Sequence, residues 1–277
     1  MPTTTATSAS SLLLPPPLAA DLGKHTRADI ATGESGSSVI RFDRPPASSV
    51  FLKSRAIGSP PTERPLFDEA ERLGWMSAVG LPVPAVLQYH EWKGREYLLL
   101  TAVAGTDASA PRSSDRYAAV VAALAAGLRT LHATNISACP FDHSRRVRIA
   151  AAESRMRAGL VDESDFDAPR QGRSARELYA DLVATQPASE DRVFTHGDYC
   201  TPNVLLADDG AGGFRVAGFV DCGNAGIGDR YQDLALCARS VASNYGAEWV
   251  PVLFARYGIE QPDETRLAWY QLLDEFF

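Results

Sequence analysis

The chain has 277 residues, 45% hydrophobic and 22% charged, with a net charge of −7 and a pI of about 5.3. That is enough chain for one large domain or two lobes with packed cores. The acidic balance argues against a nucleic-acid partner, whose phosphates need a basic face, and suits a cationic one. Cys139, Cys200, Cys222 and Cys237 form no C-x-x-C pair and read as free thiols of a reducing compartment, and the longest apolar run, 118–128, is too short to cross a membrane.

Residues 1–20 are a low-complexity mix of Thr, Ser, Ala and Pro, expected to be poorly ordered at least at the start. They lack the basic start of a signal peptide, and Pro15-Pro16-Pro17 interrupts their apolar run, so a cytoplasmic location is expected. From about Arg27 onward, 30–32, 33–38 and 39–42 read as strand, polar turn, strand. Backbone N–H groups and serine hydroxyls of such a hairpin can cradle phosphates; the same residues equally make an ordinary surface turn.

Ser49-Val50-Phe51-Leu52-Lys53-Ser54 reads as a strand with Phe51 and Lys53 on one face. An aromatic beside an ammonium suits adenine stacking and phosphate pairing, and a core Phe beside a surface Lys gives the same pattern. A Pro-rich loop over 58–65 leads into a helix from Leu66 to about Val79, apolar at Leu66, Phe67, Ala70, Leu73 and Met76. Glu69 and Glu71 on it offer a partner for the strand lysine or a solvated face. Residues 85–89 and 96–101 read as a hairpin turning at Trp92-Lys93-Gly94. The segment 102–105 would then be a hinge between a small β-rich lobe, 21–101, and a mainly helical one, 106–277, with helices over 115–132, 231–244, 249–257 and 263–277.

The organising stretch is Thr195-His196-Gly197-Asp198-Tyr199-Cys200-Thr201-Pro202-Asn203. Apolar arms at 192–194 and 204–206 make it a strand–loop–strand, with Asp198 and Asn203 five residues apart. A further apolar strand from Phe214 delivers Asp221 at its end. An Asp, an Asn five residues on and a strand-end Asp form the layout of a phosphoryl transferase. The first takes the proton of the attacking hydroxyl, and the other two give oxygens to Mg²⁺ on a nucleotide. Protein kinases carry the same logic as H-R-D-x-x-x-x-N followed by D-F-G. A turn at Asp198 and a helix cap at Asp221 would explain those residues singly, but not the full set with a strand lysine.

Several segments resemble the aminoglycoside phosphotransferases, in particular the 3′-phosphotransferases for kanamycin and neomycin. They are Asp68-Glu69-Ala70-Glu71-Arg72-Leu73, Cys139-Pro140-Phe141-Asp142-His143, Ala158-Gly159-Leu160-Val161-Asp162, and the stretch from Thr195 to Asn203. Asp221-Cys222-Gly223, Gly228-Asp229-Arg230-Tyr231-Gln232-Asp233 and the terminal Leu272-Leu273-Asp274-Glu275-Phe276-Phe277 continue the likeness, which spans roughly residues 25–277. It implies an α+β, eukaryotic-protein-kinase-like two-lobed fold with a β-rich N-lobe and a mainly helical C-lobe. It also implies ATP, with GTP as the other nucleotide, together with Mg²⁺ and phosphorylation of an aminoglycoside hydroxyl.

By motif position Asp198 resembles the catalytic aspartate, with Asn203 and Asp221 as metal ligands. Lys53 resembles the phosphate lysine, and Glu69, six residues before Trp75, its partner. Phe51 resembles the adenine-stacking aromatic, Ser35 the serine of the phosphate loop, and Thr101 and Val103 the hinge contacts. For the polyamine substrate the resemblance implies Asp162, Glu163, Asp165 and Asp167, then Asp274, Glu275 and the chain-end carboxylate of Phe277. Read without it, the acidic loop is equally a solvated turn. Asn224 stands where many relatives have Arg, Ala168-Pro169 replaces further acids that some relatives have in the binding loop, and Ser243 replaces a helix acid. The alternatives are a kinase of another small amine, of the choline or fructosamine type, and a non-catalytic binding module.

Overall fold

The computed structural model describes residues 13–29, 37–44, 47–58 and 65–277. Two compact units emerge, one of residues 1–66 and 86–102, the other of 67–85 and 103–277. The chain passes finally into the second unit between Ala102 and Val103.

The first unit opens with α1 (Pro16–Leu22) and is otherwise one antiparallel sheet of β1 (Thr26–Asp29), β2 (Ser38–Arg44), β3 (Ala47–Ala56), β4 (Val86–Trp92) and β5 (Arg95–Thr101), in the order β1-β2-β3-β5-β4. Helix α1 limits the expectation of poor order for residues 1–20 to the start of the chain, since Pro16–Ala20 are helical, while residues 1–12 lie outside the described residues. The prolines taken as breakers sit at the helix start, where a missing N–H removes no hydrogen bond. Leu18 and Leu22, four residues apart, then fall on one face and enter the core with Ile40, Phe42, Leu52, Tyr97 and Leu99. The β4–β5 hairpin turns at Lys93 and Gly94, both with positive φ, the backbone of a type I′ turn. The 33–36 part of the expected phosphate-cradling turn, with Ser35, lies outside the described residues.

In the second unit, α2 (Pro65–Ala78, all but its first two residues) precedes the short β6 (Thr106–Asp107) and α3 (Tyr117–His132). Next come α4 (Arg145–Arg157) and α5 (Ala175–Ala184), in a stretch where the sequence analysis assigned no helix. Helix α4 has no apolar stripe: it buries only Arg148 and Ala152. Helix α5 does carry a readable start, a capping box in which Ser174 and Glu177 bond each other's backbone N–H groups.

The expected strand–loop–strand is β7 (Arg192–Thr195) and β8 (Val204–Asp208), followed by β9 (Phe214–Phe219). Strands β6, β8 and β9 form one small sheet. Strand β7 pairs instead with β10 (Gly226–Asp229), which sequence reading did not assign. Helices α6 (Arg230–Tyr245), α7 (Val250–Tyr257) and α8 (Glu264–Asp274) close the unit, each near its expected place. Among the described residues no helix is long and apolar enough to cross a membrane.

Candidate active site

The loop between β7 and β8 is pinned from one face of α6. Asp233, Ser240 and Asn244 lie seven and four residues apart on that helix, hence on one side of it. The Asp233 carboxylate accepts from the backbone N–H of His196 at 2.8 Å through Oδ2 and from that of Gly197 at 2.9 Å through Oδ1. Ser240 Oγ accepts from Thr201 N–H at 3.0 Å, and Asn244 Nδ2 donates to Thr201 Oγ1 at 3.0 Å. His132 Nε2 lies 3.2 Å from Asp233 Oδ2, and its Nδ1 lies 2.7 Å from Tyr257 Oη. From α3, the carbonyl of Leu124 accepts from Tyr199 Oη at 2.8 Å, so the loop is held on two sides.

Pinned this way, the loop presents Asp198 and Asn203 together. Asn203 Nδ2 donates to Asp198 Oδ2 at 2.8 Å and to the Asp198 carbonyl at 3.0 Å. With both donations made by nitrogen, the amide oxygen of Asn203 remains as an acceptor. Val220 N–H donates to the Asn203 carbonyl at 3.0 Å, which sets the following residue, Asp221, beside this pair. Asp221 has φ +61°, a left-handed conformation that an Asp adopts more readily than most residues. Two oxygen donors of this kind, one amide and one carboxylate, fit Mg²⁺, which takes one or two protein groups and fills its octahedron with phosphates and water.

Burial holds the Asp198 carboxyl above the ordinary carboxylate range, Asp274 and Asp221 push it the same way, and His196 opposes them. Cys200 sits close by with its thiol pushed up, chiefly by burial and then by Asp198, so it is no thiolate nucleophile. Cys222 is buried and packs its sulfur 3.7 Å from His196 Nε2. Helix α2 meets the segment after Asp221: Arg72 Nε donates to the Ala225 carbonyl at 2.8 Å. Glu69 Cβ lies 3.9 Å from where a Cβ on Gly223 would stand. Glu69 is only 3% exposed, which removes the solvated-face alternative for it, whereas Glu71 is exposed.

In the first unit Lys53 is 9% exposed, so it is no surface lysine. Phe51, its neighbour on the same face of β3, is half-buried. Thr101 ends β5, and the next residue, Ala102, donates its N–H to the Ser49 carbonyl at 3.1 Å. Val103 begins the second unit's segment and packs against Gly218 of β9.

The two acidic segments, far apart in sequence, do meet. Asp167 N–H donates to both carboxylate oxygens of Glu275, at 3.3 and 3.2 Å. Two arginines that sequence reading missed bridge them. Arg170 Nη1 lies 2.8 Å from Glu275 and 3.4 Å from Asp167, while Arg239 pairs with Asp274 and, at 3.2 Å, with Asp167. Burial raises the carboxyl of Glu275 against these bonds. The other acids are placed differently. Glu163 accepts the N–H of Ala175 at the start of α5 at 2.8 Å, Asp162 closes a local turn on Ser164, and Asp165 is exposed. Phe277 lies three residues beyond the end of α8, its ring over Arg148 of α4.

Residues 30–270 match the phosphotransferase enzyme family. An aminoglycoside 3′-phosphotransferase of Escherichia coli is 36% identical over 98% of this chain and 97% of its own length. The chain belongs to the aminoglycoside 3′-phosphotransferase family. A namesake from Streptomyces fradiae is 36% identical over 88% of this chain and 92% of its own. Among solved structures, an aminoglycoside-3′-phosphotransferase of type VIII matches with a TM-score of 0.82 and 36% identity, covering 92% of this chain and 94% of that one. A Streptomyces rimosus aminoglycoside phosphotransferase solved with ADP and streptomycin matches with a TM-score of 0.79 and 27% identity, over 94% and 95% of the two chains. The α+β, kinase-like fold class expected from the sequence therefore holds, with a sheet-rich first unit and a mainly helical second one.

Proposed function

We propose that this protein is a kinase of aminoglycosides that moves the γ-phosphoryl group of ATP to the 3′-hydroxyl, and so confers resistance to kanamycin- and neomycin-type drugs. The observation that carries the chemistry is the Asp198–Asn203 hydrogen bond with Asp221 set beside it. The substrate class rests on the named activity of the relatives and on the meeting of the two acidic segments at Asp167 and Glu275.

Asp198 holds the sugar hydroxyl in line and accepts its proton. Because the transition state of phosphoryl transfer is loose, placing the hydroxyl matters more than basicity. Asn203 and Asp221 would hold Mg²⁺, which supplies neutralising charge on the nucleotide phosphates. In the first unit Lys53 orients those phosphates, Phe51 stacks on the adenine, and the Thr101 and Val103 backbone meets its edge; GTP is the competing nucleotide. Glu69 is the acidic residue that α2 would contribute to nucleotide binding. Substrate ammonium groups are recognised by the acids at 162–167, by Asp274 and Glu275, and by the terminal carboxylate, in competition with Arg170 and Arg239. The protein acts in the cytoplasm, where ATP and drug are both present.

The test is ADP release with kanamycin and with its analogue lacking the 3′-hydroxyl, each with ATP or GTP and with or without Mg²⁺. Kanamycin should drive turnover, and the analogue should bind without being phosphorylated. No ADP release with any aminoglycoside overturns the substrate class. Phosphate found on the analogue overturns the 3′ assignment alone.

A further inference from the structure

Helix α4 buries an arginine that the chemistry above does not use. Arg148 is 7% exposed, and its Nε has no hydrogen-bond partner among the described residues. Taking a guanidinium out of water is costly unless something compensates its charge. The compensation comes from two sources. The ring of the last residue, Phe277, stands with its centroid 3.4 Å from the guanidinium carbon. The carboxylates of Asp274 and Asp198 attract the same charge, while burial lowers its pKa to about 10. Arg155, seven residues on and therefore on the same face of α4, donates through Nε to the Phe276 carbonyl. Its Nη2 donates to the Leu160 carbonyl at 3.0 Å and lies 3.5 Å from an oxygen of Phe277. Phe276 is fully buried and packs edge-on against Tyr179, so the chain is anchored one residue before its end. Phe277 itself is 43% exposed; its N–H donates to the Asp274 carbonyl at 3.0 Å, and its ring, with Arg155 5.8 Å from the centroid, is held most closely by Arg148.

We propose that Arg148 is a positioning residue that fixes Phe277, by stacking its buried guanidinium on the Phe277 ring. Helix α4, which holds none of the proposed substrate acids, thereby sets where Phe277 stands. The inference deepens the aminoglycoside reading and rests on it for its kinetic arm only.

The test uses the full chain with Arg148→Met, which keeps the stem and removes charge and plane, with Arg148→Lys, which keeps the charge alone, and with Phe277→Leu. Carboxypeptidase release of residue 277 needs no substrate. It should be about tenfold faster in Arg148→Met, with Arg148→Lys close to it, because the ammonium cannot reproduce the stacked plane. The KM for kanamycin should rise by about tenfold while the KM for ATP stays unchanged. Combining Arg148→Met with Phe277→Leu should raise the KM no further than either change alone, since both break one contact.

A merely structural arginine would lower the melting temperature and leave the terminal residue as protected as before; that result overturns the proposal. Additive effects in the double variant also overturn it. If Arg148→Met does not fold, Arg148→Lys still decides, because unchanged release of Phe277 from it refutes the clamp. If the unaltered protein turns over no aminoglycoside, the substrate reading fails, and the release assay still judges the clamp.

Discussion

Asp233 accepts from two consecutive backbone N–H groups of the catalytic loop, His196 at 2.8 Å and Gly197 at 2.9 Å, one with each carboxylate oxygen. Both oxygens are needed, because the two donors are buried side by side. Asp233→Asn keeps the shape but offers one acceptor oxygen, leaving one loop N–H facing an NH₂ group. A buried donor left unsatisfied costs about 1–3 kcal/mol. We expect a lower melting temperature and a kcat that falls well beyond any change in the KM for ATP. Unchanged kcat in a folded variant would remove Asp233 as the anchor of the loop.

Gly197 tolerates no side chain, for two separate reasons. Its φ is +83°, and an added Cβ would stand 2.3 Å from the Asn224 carbonyl oxygen. The left-handed backbone alone costs a residue with a Cβ about 1–2 kcal/mol. Gly197→Ala should therefore shift the loop and abolish transfer. Trimming Asn224 to Ala should not restore it, since the obstructing atom belongs to the backbone. Gly223→Ala is the control: its methyl would meet Glu69 at an ordinary 3.9 Å, and its effect should be milder. Equal losses at the two glycines would contradict the argument.

Asp198 and Asp221 should fail in different ways. Asp198→Ala removes the group facing the hydroxyl, so turnover is lost while calorimetry with Mg-nucleotide shows nearly unchanged affinity. Asp221→Asn keeps the left-handed backbone accessible but replaces an anionic ligand with a neutral one, so Mg-dependent nucleotide affinity should drop. Nucleotide affinity that survives Asp221→Asn and disappears in Asp198→Ala would exchange the two roles.

The start of α5 gives a pH-dependent prediction. Hydrogen bonds from the Ser174 backbone and hydroxyl hold the carboxyl of Glu177 below its ordinary range. A folded pKa below the unfolded one means that this stabilisation is complete above the unfolded value, about 4.3, and is lost as pH falls through the folded one. The melting temperatures of the wild type and Glu177→Gln should therefore differ at neutral pH and converge as the pH drops below about 4. A gap that stays constant into acid would show that the carboxylate charge contributes nothing to the cap.

Within the candidate site, what the sequence could determine was local. The five-residue step from Asp198 to Asn203 closes into a single hydrogen-bonded pair because one tight turn spans it, and the apolar arms on either side force strand, loop and strand. The β9 run carries Asp221 to the same place for the same reason, since a strand's direction fixes where its end residue emerges. The tertiary structure alone decided which distant groups hold and surround that loop. Asp233 lies 36 residues beyond Gly197, and Asp167 and Glu275 are 108 apart. No periodicity in the sequence says that these carboxylates meet their partners, or that Arg170 and Arg239 neutralise the acids at the meeting. Helix α4 escaped reading because a helix that buries an arginine instead of an apolar stripe has no hydrophobic period to detect. The buried Lys53 and Glu69 show the same division: residue type and spacing nominate a charged side chain, and only packing shows that it has left the solvent.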